Sequence, residues 1–348
     1  MPDGLLEPQS PLAALELAVL PALRRAPCLV SFSGGLDSSF VLAVATRVAR
    51  REGLELPVPC TWRFPDAPEA FESPSQETVV TALGLPDWVR LDATDELDLL
   101  GPVAQRVLRA HGVVYPANAH LHLPLLERAT GGSLLTGAGG DQVLMGWPTR
   151  PGRSLRRVLT EDVVPVGVRS WVSVRRGSAP FPWLHPHAAR RVLGAYLNER
   201  RVQPQRFDRR VAWHAARRAM VMTLSSLDAI AADVDVELRH PILDPGFVQS
   251  LAHAFGATGP RRPQLLEAIA ASQIAPEVFA ARPKARFNEV FFREPTRQFV
   301  QSGDFTGVDD RYVDVQALRR VWSSWPIPAV TALLAQQLWL TAQGRHAS

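Results

Sequence analysis

The sequence predicts an α/β protein with a doubly wound parallel sheet, followed by a mainly helical carboxyl-terminal half. Short apolar segments alternate with helix-like segments from residue 28 to about residue 150. This alternation produces a parallel sheet with helices on both faces. Glycine-rich turns follow two of the apolar segments, which is typical of ligand-binding loops at the carboxyl ends of strands. Beyond residue 150 the composition shifts to arginine, proline and tryptophan, in segments with helical periodicity.

The elements follow in the order that repeated strand and helix units require. An amphipathic helix is expected over residues 12–20, before the first strand. Strands are predicted over residues 28–32, 58–64, 89–91 and 133–136, and helices over 38–51, 75–83, 97–111 and 120–130. The second half predicts helices over residues 188–200, 208–232, 246–255, 263–271 and 315–343. We expect residues 1–150 to form a nucleotide-binding region, and residues 151–348 a helical substrate-binding region that completes the same domain.

Composition narrows the function classes. The chain has 348 residues, 46% of them hydrophobic, and a net charge of +4. No run of residues is long and apolar enough to predict a membrane partner. Cys28 and Cys60 fall in predicted strands, which favours reduced core residues of a cytoplasmic protein. Arginines concentrate between Arg150 and Arg218, which suits an anionic ligand or a solvated basic face, but no RNA-binding module is evident, so a nucleic-acid partner is not expected.

The loop after the first strand predicts a phosphate site. It reads Ser33-Gly34-Gly35-Leu36-Asp37-Ser38-Ser39 and leads directly into a helix. Paired glycines allow close approach of phosphate, and the first N–H groups of a helix bind anions. A carboxylate beside phosphate requires a divalent cation between them, so Asp37 predicts Mg²⁺. The loop lacks the Gly-Lys-Ser/Thr ending of a Walker motif. The residues expected to bind nucleotide here are Ser31, Ser33, Gly34, Gly35, Asp37, Ser38 and Ser39.

A second glycine loop follows the fourth predicted strand. Residues 136–141 read Thr-Gly-Ala-Gly-Gly-Asp, and we expect Thr136, Gly137 and Gly140 to contact the nucleotide. Asp141 supplies a second carboxylate for the Mg²⁺ held by Asp37. Both loops lie just beyond the carboxyl end of a parallel strand, so the sequence predicts that they face one crevice.

Lys284 is the only lysine in the chain, and the other 37 of the 38 basic residues are arginine. A compact ammonium can settle on a single oxygen where negative charge develops, which a planar guanidinium does poorly. Lys284 is therefore a candidate catalytic residue.

A third segment, residues 237–244, mixes charged and apolar side chains around Pro241. Two interpretations stay open. Glu237 or Arg239 orients the site through a hydrogen bond, or the segment is a helix-ending turn in which Asp244 acts as a cap.

These segments, in this order and together with Arg282-Pro283-Lys284-Ala285-Arg286-Phe287, resemble the synthetase domain of asparagine synthetases. That family also includes β-lactam synthetases and lasso-peptide cyclases, and the resemblance covers roughly residues 15 to 300. It implies a fold of the adenine nucleotide alpha hydrolase (PP-loop) type. It also implies cleavage of ATP to AMP and pyrophosphate, with a carboxylate activated as an acyl-adenylate. By position, Asp37, Asp141 and Lys284 would be the catalytic residues, with Mg²⁺ on the two carboxylates.

Departures from the family refine the expectation. The phosphate loop begins at Ser33 and position 2 is proline, so no amino-terminal glutaminase domain is expected. Ala138 stands where asparagine synthetases have an acid and β-lactam synthetases a tyrosine, and Gln142 replaces the usual glutamate. The Gly139-Gly140-Asp141 form is more similar to lasso-peptide cyclases.

The predicted function is an AMP-forming amide ligase of antibiotic-type specialised metabolism, acting on a small-molecule or peptide carboxylate as a macrolactam-forming cyclase. Its partners would be a precursor peptide and its processing protease or leader-binding protein. Three alternatives remain: a synthetase subunit that takes ammonia from a separate glutaminase, a tRNA-modifying ATP pyrophosphatase, and a non-catalytic nucleotide-binding scaffold.

Overall fold

The computed structural model describes residues 9–67, 73–144, 164–176, 180–260, 262–270, 273–280 and 288–346. Five parallel strands form one sheet in the order β3-β2-β1-β4-β5. The strands are β1 (Cys28–Ser31), β2 (Val58–Arg63), β3 (Val89–Asp92), β4 (Ser133–Leu135) and β5 (Glu237–Arg239). The chain builds outward from β1 to β3 and then returns to β4 on the other side of β1. The strand order therefore reverses between β1 and β4, which is where ligands bind in open parallel sheets.

The helices surround this sheet and continue into the carboxyl-terminal half. They are α1 (Pro11–Leu23), α2 (Leu36–Glu52), α3 (Ser73–Ala82), α4 (Pro102–His111), α5 (Leu123–Arg128), α6 (Val166–Arg175), α7 (Pro186–Val202), α8 (Phe207–Ala215), α9 (Arg218–Ala232), α10 (Pro245–Phe255), α11 (Arg262–Ala270), α12 (Asn288–Phe291), α13 (Glu294–Ser302), α14 (Val315–Trp322) and α15 (Ala332–His346). Short 3-10 turns lie at Ala119–His122, Pro241–Leu243, Pro276–Phe279 and Ala329–Thr331, and a π-helical turn spans Gly140–Leu144. Among the helices of the described residues, none combines the length and apolar character needed to cross a bilayer.

Alternate side chains of the central strands β1 and β4 pack into two separate apolar cores, one on each face of the sheet. Val30 and Leu135 pack with α1, α2 and α10 on one face of the sheet. Their neighbours Leu29 and Leu134 pack with α4, α5 and α9 on the other face. Side chains of a strand point alternately to opposite faces, so an apolar run of this kind belongs to a strand covered on both sides. The predicted doubly wound parallel sheet is confirmed.

A third core ties the carboxyl-terminal helices together and joins them to the sheet region. Trp183, Leu318, Trp322 and Leu338 are buried in it. Asp98, which is fully buried, joins this core to the sheet region. Its carboxylate accepts the backbone N–H groups of Leu100 (2.8 Å), Arg293 (2.6 Å) and Thr296 (3.0 Å), and the Thr296 hydroxyl (2.6 Å). The helical half is therefore fastened to the sheet region through a buried carboxylate.

Several element predictions were wrong. The helix predicted from residue 97 begins at Pro102, because proline lacks an N–H and fits the first helical position. The helix predicted over 208–232 breaks before Arg218, where Arg217 adopts extended backbone angles and pairs with Glu199 at 2.9 Å. The helix predicted over 315–343 is interrupted between Trp322 and Ala332 by two prolines.

The sequence also missed β5, α6 and α13. Of these, β5 matters most, because it lies in the second half of the chain and yet completes the sheet beside β4. The region boundary predicted near residue 150 falls among residues 145–163, outside the described residues, and stays a prediction.

Candidate functional site

The loop after β1 is held in a tight turn by its own serine hydroxyls. Ser33 N–H donates to Ser38 Oγ (3.2 Å), and Gly35 N–H donates to Ser33 Oγ (3.1 Å). Ser38 Oγ donates to the Gly35 carbonyl (3.2 Å), and Ser39 Oγ donates to the Gly34 carbonyl (3.4 Å). Gly35 is the N-cap of α2 and supplies no side-chain acceptor. The positive end of the α2 dipole therefore lies at the carboxyl end of β1, in a loop suited to an anion.

The loop after β4 packs directly against the first turn of α2. A Cβ on Gly137 would lie 2.9 Å from the Ser38 nitrogen, and a Cβ on Gly140 would lie 2.0 Å from Asp37 Cγ. A larger residue at position 137 would require movement of the backbone of one loop, and at position 140 it would displace the Asp37 side chain. The two glycine loops predicted to share a crevice thus touch each other, and their glycines are what allow the contact.

A guanidinium joins the carboxylates of the two loops. Arg262, the first residue of α11, donates from Nε to Asp37 Oδ1 (3.0 Å) and from Nη1 to Asp141 Oδ1 (3.0 Å), while Nη2 contacts Asp37 Oδ2. One guanidinium contacts both carboxylates, so the two loops present Asp37 and Asp141 to the same side chain. Sequence reasoning missed Arg262, because nothing in the surrounding sequence distinguishes it from the other 36 arginines.

Thr136 is buried and connects the second loop to β5 and the residue that follows it. Its hydroxyl accepts the Ala138 N–H (3.2 Å) and lies 2.7 Å from Nδ1 of His240, and its N–H donates to the Arg239 carbonyl (3.0 Å). Burial, aided by the nearby His122, lowers the pKa of His240 to about 4, so this imidazole is neutral at physiological pH.

The side chains of Glu237 and Arg239 pair with each other. Arg239 Nε donates to Glu237 Oε1 at 2.6 Å. Their predicted role in orienting substrate stays a prediction. Asp244 does cap a helix, as the second interpretation expected, because its Oδ1 accepts the N–H groups of Gly246 (2.8 Å) and Phe247 (3.2 Å) at the start of α10. It begins the following helix, whereas the interpretation placed it at a helix end.

Lys284 lies among residues 281–287, outside the described residues. Its assignment as a catalytic residue stays a prediction.

A cavity of about 240 Å³ adjoins the phosphate-type loop. It lies at the carboxyl ends of β1 and β2, and Ser33 belongs both to its wall and to the loop. Gln76 Nε2 donates to the Ser33 carbonyl (2.9 Å) and so helps to hold that wall in place. The other wall residues combine apolar and aromatic surface with a few polar groups, among them Ser31, Phe32, Trp62, Asn118 and Phe291.

These features define the class of protein: a parallel α/β fold with two glycine loops and paired carboxylates at the point where the strand order reverses. The family model for asparagine synthase matches residues 13–343, and the chain belongs to that family. The resemblance drawn from the four segments is confirmed. The chain is a ligase of the asparagine synthetase kind, and the family supports an ATP-dependent amide-forming activity in general. A search of curated proteins found no match.

Proposed function

We propose that this protein uses ATP to adenylate a carboxylate, releases pyrophosphate, and couples the acyl-adenylate to an amine. The observation that carries the proposal is the contact between the two glycine loops, which brings Asp37 and Asp141 onto one guanidinium. Adenylation gives the carboxylate a good leaving group, AMP. The second step then depends mainly on positioning an amine beside the activated acid.

The first glycine loop and the cavity beside it suit the phosphates and the base of a nucleotide. The Ser33–Ser39 turn at the start of α2 is suited to phosphate oxygens. The adjoining cavity, with aromatic walls and a few polar groups, suits a flat base attached to those phosphates. Both lie at the carboxyl ends of neighbouring strands, so one nucleotide can occupy both.

The donor chemistry fits Mg²⁺. Asp37 and Asp141 are hard oxygen donors from opposite loops, and both contact the guanidinium of Arg262. Mg²⁺ keeps several waters and takes few protein ligands beside substrate phosphates, so two carboxylates suffice. Bound there, the ion would offset the charge of the phosphates next to Asp37. The second loop has alanine at position 138 in place of an acid or tyrosine, so the base that accepts the amine proton lies elsewhere.

Lys284 is assigned to the negative charge that develops during adenylation and amide formation. Lys284→Met should leave nucleotide binding near normal and remove turnover, because the ammonium acts on charge present mainly in the transition state. Lys284→Arg is the matched control, since it keeps the charge without the compact geometry, and it should also lose most activity. An active Lys284→Met enzyme would refute the assignment.

The proposed substrate is a peptide whose amino terminus closes onto a side-chain carboxylate, as in lasso-peptide cyclases. The Gly139-Gly140-Asp141 form of the second loop supports this choice. A precursor peptide, with its processing protease or leader-binding protein, would be the partner set, and the cytoplasm the compartment. The buried, unpaired thiols of Cys28 and Cys60, whose pKa values burial raises to about 11 and about 12, are compatible with a reducing compartment.

One set of incubations tests the proposal against its alternatives. Protein, Mg·ATP and candidate peptides should yield AMP, pyrophosphate and a product lighter by one water by mass spectrometry. Release of ADP instead of AMP would reject the mechanism. Activity only with free ammonium would favour the ammonia-using subunit, and product only with tRNA would favour the tRNA-modifying enzyme. Tight ATP binding without any pyrophosphate release would favour the scaffold.

A further inference from the structure

Arg262 occupies the position between the two loops where the proposed cation would bind. Its Nε and Nη1 each lie 3.0 Å from a carboxylate oxygen, one on Asp37 and one on Asp141. The Asp37 side chain is 15% exposed and the Arg262 side chain 24%, whereas Asp141 is 49% exposed, so the contact with Asp37 is partly shielded from water. A shielded ion pair is screened less by salt than an exposed one.

The same carboxylate lone pairs cannot serve a guanidinium and a metal ion at once. Asp37 already accepts two nitrogens of Arg262, and Asp141 accepts a third. A divalent ion that bridges the carboxylates must replace at least part of these contacts. The guanidinium it displaces would then lie beside phosphate oxygens, which a planar fork of donors binds well.

We infer that Arg262 is a competing cation: it holds Asp37 and Asp141 together in the absence of metal, and gives up the carboxylates for phosphate when a metal-bound nucleotide enters. This inference rests on the proposed cation site. Its consequence is that the carboxylate pair binds a bare divalent ion poorly and accepts the ion readily together with polyphosphate. Arg262 is a positioning residue in the empty site and a phosphate ligand in the filled one.

The test measures binding in the absence of turnover. Mn²⁺, as a spectroscopic substitute for Mg²⁺, is titrated into the full chain without nucleotide, and free Mn²⁺ is followed by electron paramagnetic resonance. Arg262→Gln should bind Mn²⁺ about tenfold more tightly than the wild type, the effect of removing one charge-assisted contact. Arg262→Lys should fall between them, because a point charge cannot span both carboxylates. Arg201→Gln, at an exposed position on α7, should match the wild type.

Pyrophosphate binding should change in the opposite direction. With Mg²⁺ present, Arg262→Gln should bind pyrophosphate at least several-fold more weakly, because the displaced guanidinium is no longer there to receive it. Adding Asp141→Asn to Arg262→Gln should abolish the gain in Mn²⁺ affinity, which assigns the gain to this site. If Arg262 only held the two loops together, its removal would weaken the binding of both Mn²⁺ and pyrophosphate.

Unchanged or weaker Mn²⁺ binding in a folded Arg262→Gln protein overturns the inference, as does unchanged pyrophosphate binding. If Arg262→Gln does not fold, Arg262→Lys decides by the same two measurements. Failure of this inference is distinguishable from failure of the proposed function, because the titrations involve no catalysis. If Arg262→Gln binds Mn²⁺ more tightly and pyrophosphate more weakly, but the enzyme releases ADP, then only the adenylation proposal is refuted.

Discussion

Replacing Gly140 with alanine tests whether contact between the two glycine loops positions the carboxylates. The added Cβ would lie 2.0 Å from Asp37 Cγ and 2.1 Å from Asp37 Oδ2. Carbon atoms pack at about 3.5 Å, so either the loops separate by roughly 1.5 Å or the Asp37 carboxylate turns away from the site. Overpacking of this kind costs about 1–3 kcal/mol in the free energy of unfolding. Misplacing a site by about 1 Å can cost about 100-fold in turnover, so we expect a folded protein with a loss of at least that size.

The assay combines three measurements on Gly140→Ala. Urea unfolding gives the change in stability, Mg²⁺-dependent binding of a fluorescent ATP analogue reports on the site, and release of AMP and pyrophosphate reports on turnover. Gly194→Ala is the matched control, because Gly194 lies inside α7 and its Cβ would lie an ordinary 3.9 Å from Ser170 Oγ on α6. Alanine there should leave binding unchanged and stabilise the helix by about 0.5–1 kcal/mol. Nucleotide binding and turnover within twofold of the wild type in Gly140→Ala would refute the reasoning.

Two further predictions concern buried polar groups. Asp98→Asn turns an amide N–H₂ toward a backbone N–H in a fully buried site, so the free energy of unfolding should fall by about 1–3 kcal/mol in urea titrations. Asp310→Asn at the surface is the control and should have no effect. Equal stability of the two variants would contradict the prediction. Burial lowers the pKa of His214 from 6.5 to about 4, so the unfolded chain takes up a proton first and stability should fall as pH drops from 6.5 to 4, by up to about 3 kcal/mol. His214→Gln should lessen that loss, and an identical pH profile in the variant would exclude this histidine as its source.

The apolar patterns were sufficient for the central sheet and insufficient for its edge. The strands β1 and β4 consist mostly of buried residues and β2 has a buried centre, so each of them can be recognised from its own short stretch of chain. By contrast, β5 has only three residues, two of them charged, and it exists as a strand because it pairs with β4 about a hundred residues earlier. Helix ends set by proline, such as Pro102, follow local rules, but no proline or glycine lies between residues 208 and 217 to mark the break before Arg218.

By itself the sequence determined the parallel α/β fold and the convergence of the two glycine loops, since alternating strands and helices place the carboxyl ends of parallel strands at one edge. Only the tertiary structure decided how tightly those loops meet and which residue joins them. Arg262 reaches Asp37 across 225 positions in the chain, and no local pattern distinguishes it from the other arginines. The physical reason is that a long-range ion pair depends on the packing of α11 against both loops, which only the folded chain provides.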